Sequence, residues 1–156
     1  MSERPALRPS ALSVAEVARL AADHGEFESR GELEPILGTL VEEPIFEFHP
    51  PGGALIGMDR LRRYYQRFID EFMPSVEESF LLGEWSSERA HVYEYQMRMC
   101  IGGALEEHQI VAVMYAAGDR LGGERIYGSE AVLLHMLGPF VDELEPIRGR
   151  SLWAIG

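Results

Sequence analysis

Two side chains that can exchange protons, Glu47 and His49, lie two positions apart in segment 44–57. The segment reads as a strand that leads into a Pro- and Gly-rich loop. Side chains alternate across a strand, so the carboxylate and the imidazole should point the same way. Histidine ordinarily titrates near neutral pH and suits proton transfer. We predict His49 as acid or base with Glu47 orienting it; the alternative is a loop histidine bonded to a backbone carbonyl.

A second histidine, His24, falls on the apolar stripe of a predicted first helix. Leu20, His24 and Phe27 recur at intervals of four and three residues, which places them on one helix face. From that face the imidazole could donate a hydrogen bond to the carbonyl oxygen of a bound molecule. The alternative is structural, with the ring satisfying a backbone group or the C-terminal dipole of the helix.

Tyrosines, together with polar side chains on the predicted strands, supply candidates for ligand binding. They are Tyr64, Tyr65, Tyr115, Tyr127, Glu94, Arg98 and His108. Glu94 and Arg98 share one face of a strand, and that polar row either lines a pocket or faces solvent through cross-strand charge pairs. The tyrosines either point hydroxyl groups into the same pocket or serve as core residues with one satisfied hydroxyl.

Several other kinds of chemistry are disfavoured by the sequence. His91, His108 and His135 show no metal-ligand spacing with each other or with nearby acids, so we predict no metal and no cofactor. All 14 basic residues are arginine, which excludes lysine Schiff bases and the phosphate-binding lysine of a P-loop. Cys100 has no base nearby in sequence and is predicted to be buried and inert.

The elements that position these residues follow from the sequence pattern. Ser13 and Glu16 have capping-box spacing before the first helix. A short second helix precedes the strand, and an apolar stripe over 58–73 predicts a third helix. Beyond this helix, apolar and polar residues alternate at every second position. This pattern predicts strands over 76–85, 91–101, 105–116 and 124–127, before a closing helix. This order indicates an α+β fold with helices packed on one face of a bent antiparallel sheet.

Four segments, taken in order, resemble the nuclear-transport-factor-2-like superfamily, and within it the SnoaL-like branch. They are Arg-Gly-Glu-Leu-Glu-Pro-Ile at 30–36, Phe-Glu-Phe-His-Pro at 46–50, Gly-Met-Asp-Arg-Leu-Arg-Arg-Tyr-Tyr at 57–65 and Glu-Arg-Ile-Tyr at 124–127. The resemblance implies a cone-shaped barrel, whose mainly antiparallel sheet wraps around an internal pocket closed by N-terminal helices. Members include ketosteroid isomerases, polyketide cyclases, dehydratases and non-catalytic subunits, so the fold alone does not decide the function.

The resemblance also implies roles for particular positions. The general-base aspartate of ketosteroid isomerases corresponds to His49, their oxyanion-hole tyrosine to His24, and their protonated aspartate to the neighbourhood of His108 or Gln109. None of the three residue types is retained, although dehydratases of the superfamily use pocket histidines. We expect a cofactor-free acid–base isomerase, cyclase or dehydratase acting on a small hydrophobic oxygenated molecule. The alternative is a non-catalytic ligand-binding or dimeric structural module of the same fold.

The length and the net charge of the chain limit how many domains it can form and which partners it can bind. Its 156 residues suit one domain, predicted over 13–138 with a loose lead-in at 1–12 and a tail at 139–156. The net charge of −12 argues against binding to nucleic acid or to an anionic membrane, and no apolar run is long enough to span a bilayer. A single cysteine and the lack of a signal sequence predict a cytoplasmic protein, and the superfamily analogy predicts a homodimer.

Overall fold

Residues 8–147 are described by a computed structural model, in which they form five α-helices and a seven-stranded sheet. The helices are α1 (Val14–Arg30), α2 (Leu33–Gly38), α3 (Met58–Arg67), α4 (Met73–Ser75) and α5 (Glu130–Leu137). A π-helical turn (Phe68–Phe72) joins α3 to α4, and a 3-10 helix (Gly138–Glu143) follows α5. The strands are β1 (Leu40–His49), β2 (Gly53–Ile56), β3 (Val76–Ser86), β4 (Ala90–Ile101), β5 (Ala104–Ala117), β6 (Arg120–Tyr127) and β7 (Glu145–Pro146).

The sheet has the strand order β3-β4-β5-β6-β1-β2-β7. Its neighbouring strands are antiparallel except for β1 and β6, which run parallel. Within residues 8–147 the two end strands do not pair with each other, so the sheet is open rather than a closed barrel. The predicted α+β class, with helices on one face of a mainly antiparallel sheet, is confirmed.

Helix α1 is fixed at both ends by its own sequence. Ser13 accepts a hydrogen bond from the backbone N–H of Glu16, whose side chain accepts one from the backbone N–H of Ser13. This is the predicted capping box. The helix continues through Gly25 and ends at Gly31, whose φ of 67° is in the left-handed region that glycine adopts readily. The helix buries Val17, Ala21 and His24.

The two faces of strand β1 have different neighbours. Phe46 and Phe48 are fully buried and their rings contact Tyr64 of α3 at centroid distances of 6.3 and 5.8 Å. We call the helix-covered side, which carries Phe46 and Phe48, the inner face of the sheet. Glu47 lies between these two residues and therefore points to the opposite side, the outer face. The main hydrophobic core lies between the inner face and the helices.

Part of the segment predicted to be a C-terminal tail packs with the domain. Phe140, in the 3-10 helix, is 6% exposed, and its ring lies 6.1 Å from that of Tyr64. Strand β7 pairs with β2 and extends the sheet by two residues. At the other terminus, Ser10 forms an isolated bridge with Gly118. Trp153 and the rest of segment 148–156 lie outside the described residues, as do residues 1–7.

Candidate functional site

Five polar side chains meet around His24 on the inner face of the sheet. They are His24 and Glu28 from α1, Thr39 from the residue before β1, Tyr65 from α3 and Glu124 from β6. We call this group the His24 cluster. Its members come from three elements and the residue before β1, and four of the five are almost inaccessible: His24 is 0%, Tyr65 1%, Glu124 4% and Thr39 6% exposed.

Hydrogen bonds fix the proton on one ring nitrogen of His24. The hydroxyl of Thr39 donates to the carbonyl oxygen of Ile36 at 2.7 Å. Its Oγ1 also lies 2.6 Å from Nδ1 of His24. Because the threonine proton is already used, Oγ1 accepts the second bond and Nδ1 of His24 donates it. This arrangement orients the ring so that Nε2 points to the remaining members of the cluster.

Nε2 of His24 is surrounded by oxygen atoms. The nearest are the hydroxyl of Tyr65 at 2.9 Å, Oε1 of Glu28 at 3.0 Å and Oε1 of Glu124 at 3.2 Å. The Tyr65 hydroxyl donates its own proton to Glu28 at 2.8 Å, so it does not donate to the imidazole. Nε2 must then carry a proton as well, since a bare nitrogen would face only acceptors. The geometry therefore describes an imidazolium between two carboxylates.

The pKa shifts of the cluster agree with this assignment. Burial by itself would lower the pKa of His24, but the charges and hydrogen bonds of Glu28 and Glu124 outweigh it and raise the pKa to about 10. Burial raises the pKa of Glu124, and the adjacent imidazolium offsets only part of that effect. The cluster thus combines a charged donor with a carboxylate, Glu124, whose raised pKa makes it a better proton acceptor than an exposed glutamate. That combination is suited to acid–base chemistry.

The cluster reaches solvent through Glu28 on α1, the helix that packs against strands β3 and β4. Glu28 is its most accessible carboxylate, with 21% of the side chain exposed. Beyond the helix, Tyr95 is half-buried on the inner face, and its cross-strand neighbour Leu81 is 57% exposed. An apolar molecule could therefore approach the buried carboxylate over uncovered inner-face side chains.

Glu47 and His49 occupy the outer face and form a separate group there. In the parallel β1–β6 ladder Glu47 is level with Arg125, and its Oε2 lies 3.1 Å from the Nε of that residue. Nε2 of His49 is 3.6 Å from Oε1 of Glu47, and the His49 ring stacks on Tyr127 at 4.9 Å. The structure thus places Glu47 and His49 on one side of the strand but does not bring either to His24, because the sheet lies between them.

The tyrosines predicted to bind a ligand divide between the two faces. Tyr64 and Tyr65 are buried on the inner face, and only Tyr65 joins the His24 cluster. Tyr115 and Tyr127 are on the outer face, where the guanidinium carbon of Arg125 lies 4.5 Å above the ring of Tyr115. Four tyrosines around one pocket are therefore not observed.

The predicted polar row on β4 faces away from the helices. Glu94 and Arg98 alternate with Met97, which is buried on the inner face. Arg98 is exposed and lies 3.8 Å from Glu78 of the neighbouring strand. Both residues thus lie on the outer face, where Arg98 pairs across strands, and neither lines an internal pocket. Cys100 belongs to the same row, so it is exposed instead of buried as predicted.

His108 lies on β5, level with Met97 across the strand pair. Its side chain is 13% exposed. It contacts Ser129 at the start of α5 and Glu106 on its own strand, and it makes no contact with the His24 cluster among the interactions described.

Three members of the His24 cluster also meet the distance requirement for a metal site. His24, Glu28 and Glu124 each offer one ligand atom, and these atoms lie within 4.8 Å of one another. The imidazolium already supplies a positive charge between the carboxylates. We therefore describe the cluster as an ion network and assign no metal to it.

Glu28 and Glu124 were not among the residues predicted to act. Glu28 could have been noticed, because it follows His24 by four residues and such pairs meet on a helix face. Glu124 stands in the Glu-Arg-Ile-Tyr segment that carried the family resemblance. Its partner lies 100 positions away on α1, and no local pattern links the two.

Comparison with known proteins supports the fold at low sequence identity. No protein-family model matches the sequence. No curated protein matches it either. Among solved structures, an NTF2-like protein from Anabaena variabilis is 20% identical with a TM-score of 0.64, over 76% of this chain and 92% of the other. An NTF2-like protein from Burkholderia xenovorans is 16% identical with a TM-score of 0.63, over 81% and 98%.

A proposed ketosteroid isomerase from Kribbella flavida is 14% identical with a TM-score of 0.62, over 88% of this chain and 86% of the other. At these identities the likeness establishes the fold and nothing finer, so the predicted NTF2-like architecture is confirmed. Among residues 8–147 no helix combines the length and the apolar character needed to cross a membrane.

Proposed function

We propose that the protein is an acid–base isomerase, cyclase or dehydratase that uses the His24 cluster on a small hydrophobic molecule bearing a carbonyl oxygen. The observation that carries the proposal is a buried carboxyl group, Glu124, whose raised pKa accompanies an imidazolium donor 3.2 Å away. A raised carboxyl pKa brings proton transfer closer to neutral pH. The Kribbella flavida neighbour adds support from a protein described as an isomerase.

Each member of the cluster has a distinct part in the proposed reaction. Glu124 takes a proton from a carbon next to the substrate carbonyl and returns it at another position. The imidazolium of His24 donates a hydrogen bond to the carbonyl oxygen as negative charge develops there. The hydroxyl of Tyr65, now bonded to Glu28 at 2.8 Å, turns to the same oxygen as a second donor. Thr39 keeps the ring in place through Nδ1.

This assignment moves the predicted chemistry from one face of the sheet to the other. His24 keeps the role of donor, while the role of proton acceptor passes from His49 to Glu124. The reason is geometric, because His49 and Glu47 are separated from His24 by the sheet and Glu47 is engaged by Arg125 at 3.1 Å.

Two conservative variants on adjacent strands distinguish catalysis at the His24 cluster from catalysis at Glu47 and His49. Glu124→Gln and Glu47→Gln each remove one buried carboxylate, from the inner and the outer face respectively. The assay follows conversion of a β,γ-unsaturated 3-ketosteroid to its conjugated enone by ultraviolet absorbance. We expect Glu124→Gln to lower kcat by about 100-fold or more, within the range for a general base. We expect Glu47→Gln to remain within about threefold of the parent.

The opposite ranking of these two variants would overturn the proposal in favour of the outer face. His24→Gln and Tyr65→Phe complete the series, and we expect both to lower kcat more than they raise KM because donors to an oxyanion act in the transition state. Far-ultraviolet circular dichroism of each variant establishes that the fold is retained.

A second function, ligand binding without turnover, is favoured by the position of the cavities, which lie away from the His24 cluster. Rings of aromatic residues fill the space between sheet and helices, and Phe46, Phe48 and Phe72 are each at most 1% exposed. Two cavities, of about 1050 and 470 Å³, are lined by other residues and not by the His24 cluster. Thermal-shift screening of steroids, terpenes and polyketide-like aromatics distinguishes the two functions. Stabilisation without conversion of any bound compound would favour the binding module.

We also propose a homodimer that packs through the outer face of the sheet. Phe80 and Trp85 of β3 are 51% and 58% exposed, and Leu105 at the start of β5 is 47% exposed. Their β4 cross-strand neighbours are outward-facing residues. Large exposed apolar patches commonly mark protein contacts. Light scattering coupled to gel filtration should show a dimer that Trp85→Glu converts to monomer, and a monomeric parent protein would refute the proposal.

A further inference from the structure

A second group of reactive side chains lies where strand β5 approaches the first turn of α5. Nδ1 of His108 is 2.8 Å from Oγ of Ser129. Nε2 of the same ring is 2.9 Å from Oε2 of Glu106. A serine, a histidine and a carboxylate are thus joined in one line through the two nitrogens of a single imidazole. None of the three belongs to the His24 cluster.

The hydrogen bonds assign the protons in this group. Ser129 is the N-cap of α5, and its Oγ accepts a hydrogen bond from the backbone N–H of Val132 at 3.2 Å. The hydroxyl proton is therefore free to be donated to Nδ1 of His108. Nε2 then carries the ring proton and donates it to the carboxylate of Glu106. This is the ground state that a nucleophilic serine requires, with a base that can take its proton and a carboxylate that orients the base.

The surroundings of Ser129 suit attack on a carbonyl carbon. Ser129 and His108 both line a cavity of about 470 Å³, together with Gln96, Glu107 and Gln109. The Ser129 side chain is exposed and so is open to a substrate. At the first turn of α5 the N–H of Val132 is bonded to Oγ, while the N–H groups of Glu130 and Ala131 have no partner within the helix, so these two can stabilise an anion that forms beside Oγ.

We propose that Ser129, His108 and Glu106 form a second site, one that transfers acyl groups from small carboxylic esters. Oγ of Ser129 attacks the ester carbonyl carbon while its proton passes to Nδ1 of His108. The tetrahedral intermediate collapses, the ester C–O bond breaks, and the proton moves from Nδ1 to the departing alkoxide. Water then attacks the acyl-serine with His108 as base, which releases the carboxylic acid and restores Ser129. No oxidant, reductant or metal is needed.

The charges around the site restrict the substrate. Glu107 lines the cavity and Glu106 holds the ring of His108. An ester with a carboxylate or phosphate near the scissile bond would be repelled by both. The site therefore takes uncharged or cationic esters, with an acyl group small enough for the cavity.

A covalent probe tests the nucleophile directly. An alkyl fluorophosphonate is incubated with the full-length protein, and peptide mass spectrometry locates the adduct. We expect one equivalent of adduct on Ser129, together with hydrolysis of p-nitrophenyl acetate above the buffer rate. Ser129→Asn keeps a good N-cap residue but no hydroxyl, and it should abolish both signals. His108→Gln should reduce the labelling rate by about 100-fold or more.

The chain offers a matched control for this experiment. Ser86, His91 and Glu84 form a similar line, in which Ser86 contacts Nδ1 of His91 and Glu84 lies 3.1 Å from Nε2. Ser86 ends β3, and the chain continues from it into β4 rather than into a helix. Ser86→Ala should therefore keep full labelling and hydrolysis.

Three outcomes would overturn the proposal. The first is the absence of adduct on Ser129 in a protein that circular dichroism shows to be folded. The second is labelling that survives unchanged in His108→Gln. The third is ester hydrolysis that Ser129→Asn leaves intact, which would assign the rate to another group. Each of these results is independent of the isomerase assay, so failure here leaves the His24 proposal untouched.

Discussion

The imidazolium of His24 should make the stability of the protein fall steeply between neutral and alkaline pH. Its pKa is 6.5 without the fold and about 10 within it. A pKa raised by folding contributes stability that is fully present below the unfolded value and is lost as the pH rises through the folded value. The full contribution is roughly 5 kcal/mol, taking 1.36 kcal/mol per pKa unit. Linkage assigns about 2.5 kcal/mol of the loss to the interval from pH 7 to pH 9.

Urea unfolding at pH 7 and pH 9, with His24→Gln as the reference, measures this loss. The variant cannot carry the charge, so the pH dependence of the parent minus that of the variant isolates the contribution of His24. With a urea slope of about 1–3 kcal/mol per molar, the parent midpoint should fall by roughly 0.8–2.5 M more than that of the variant. His91→Gln, which removes another buried histidine with a single carboxylate contact, serves as the control and should behave like the parent.

The removal of one carboxylate tests what raises the pKa of His24. Glu124→Gln keeps the shape of the site but removes one of the two charges that raise the pKa of His24. The loss of stability between pH 7 and pH 9 should become smaller, and the pKa measured from the ring proton signals in NMR should fall. The contrary result is a parent protein whose unfolding free energy changes between pH 7 and pH 9 by no more than that of His24→Gln. That result would show that the ring is neutral and refute the reasoning.

Further predictions concern the backbone and the outer face. Gly25→Ala should stabilise the protein by about 0.5–1 kcal/mol in thermal unfolding, because α1 continues through that residue and an added Cβ would meet nothing within 4 Å; a lower midpoint would contradict this. Gly138→Ala should cost more than about 1 kcal/mol, since its φ is 52° and a Cβ would displace the guanidinium of Arg67 from the carbonyl oxygens of His135 and Met136; an unchanged midpoint would be inconsistent with that geometry. Arg125→Ala should cost about 3 kcal/mol in urea unfolding, because the buried carboxylate of Glu47 loses its guanidinium; a loss below about 0.5 kcal/mol would show that the pair adds little.

Much of the fold could be predicted because its signals are local. The capping box at Ser13 and the change of period after residue 75 depend only on neighbouring residues, and both predicted elements are present. Strand β1 begins at Leu40 and passes through Pro44, although a strand beginning at Pro44 was predicted. Helical structure likewise continues past Pro74 as far as Ser75, because the proline occupies the start of the short helix α4.

The site was less accessible to sequence reasoning because it depends on which face of the sheet the helices cover. The alternation of side chains along a strand correctly placed Glu47 and His49 on one side of β1. It cannot say which side of the sheet the helices cover. Neither its residue type nor the sequence pattern marks Glu124 as a buried residue. It is nevertheless only 4% exposed, because His24 and Glu28 lie opposite it. The carboxylates and imidazoles were all visible in the sequence. Their grouping was set by contacts between residues far apart along the chain.

The two buried glutamates have a consequence for how strands β1 and β6 recognise each other. Phe46 is level with Glu124 and Glu47 with Arg125, so β6 carries Glu124 to the inner face and Arg125 to the outer face, where Glu47 of β1 pairs with it. If β6 shifted by one residue, every side chain on it would change sides. Glu124 would then leave His24, and Arg125 would be driven into the aromatic core. The paired charges therefore penalise any misaligned ladder far more than apolar residues would, and they select a single alignment for the one parallel pair in the sheet.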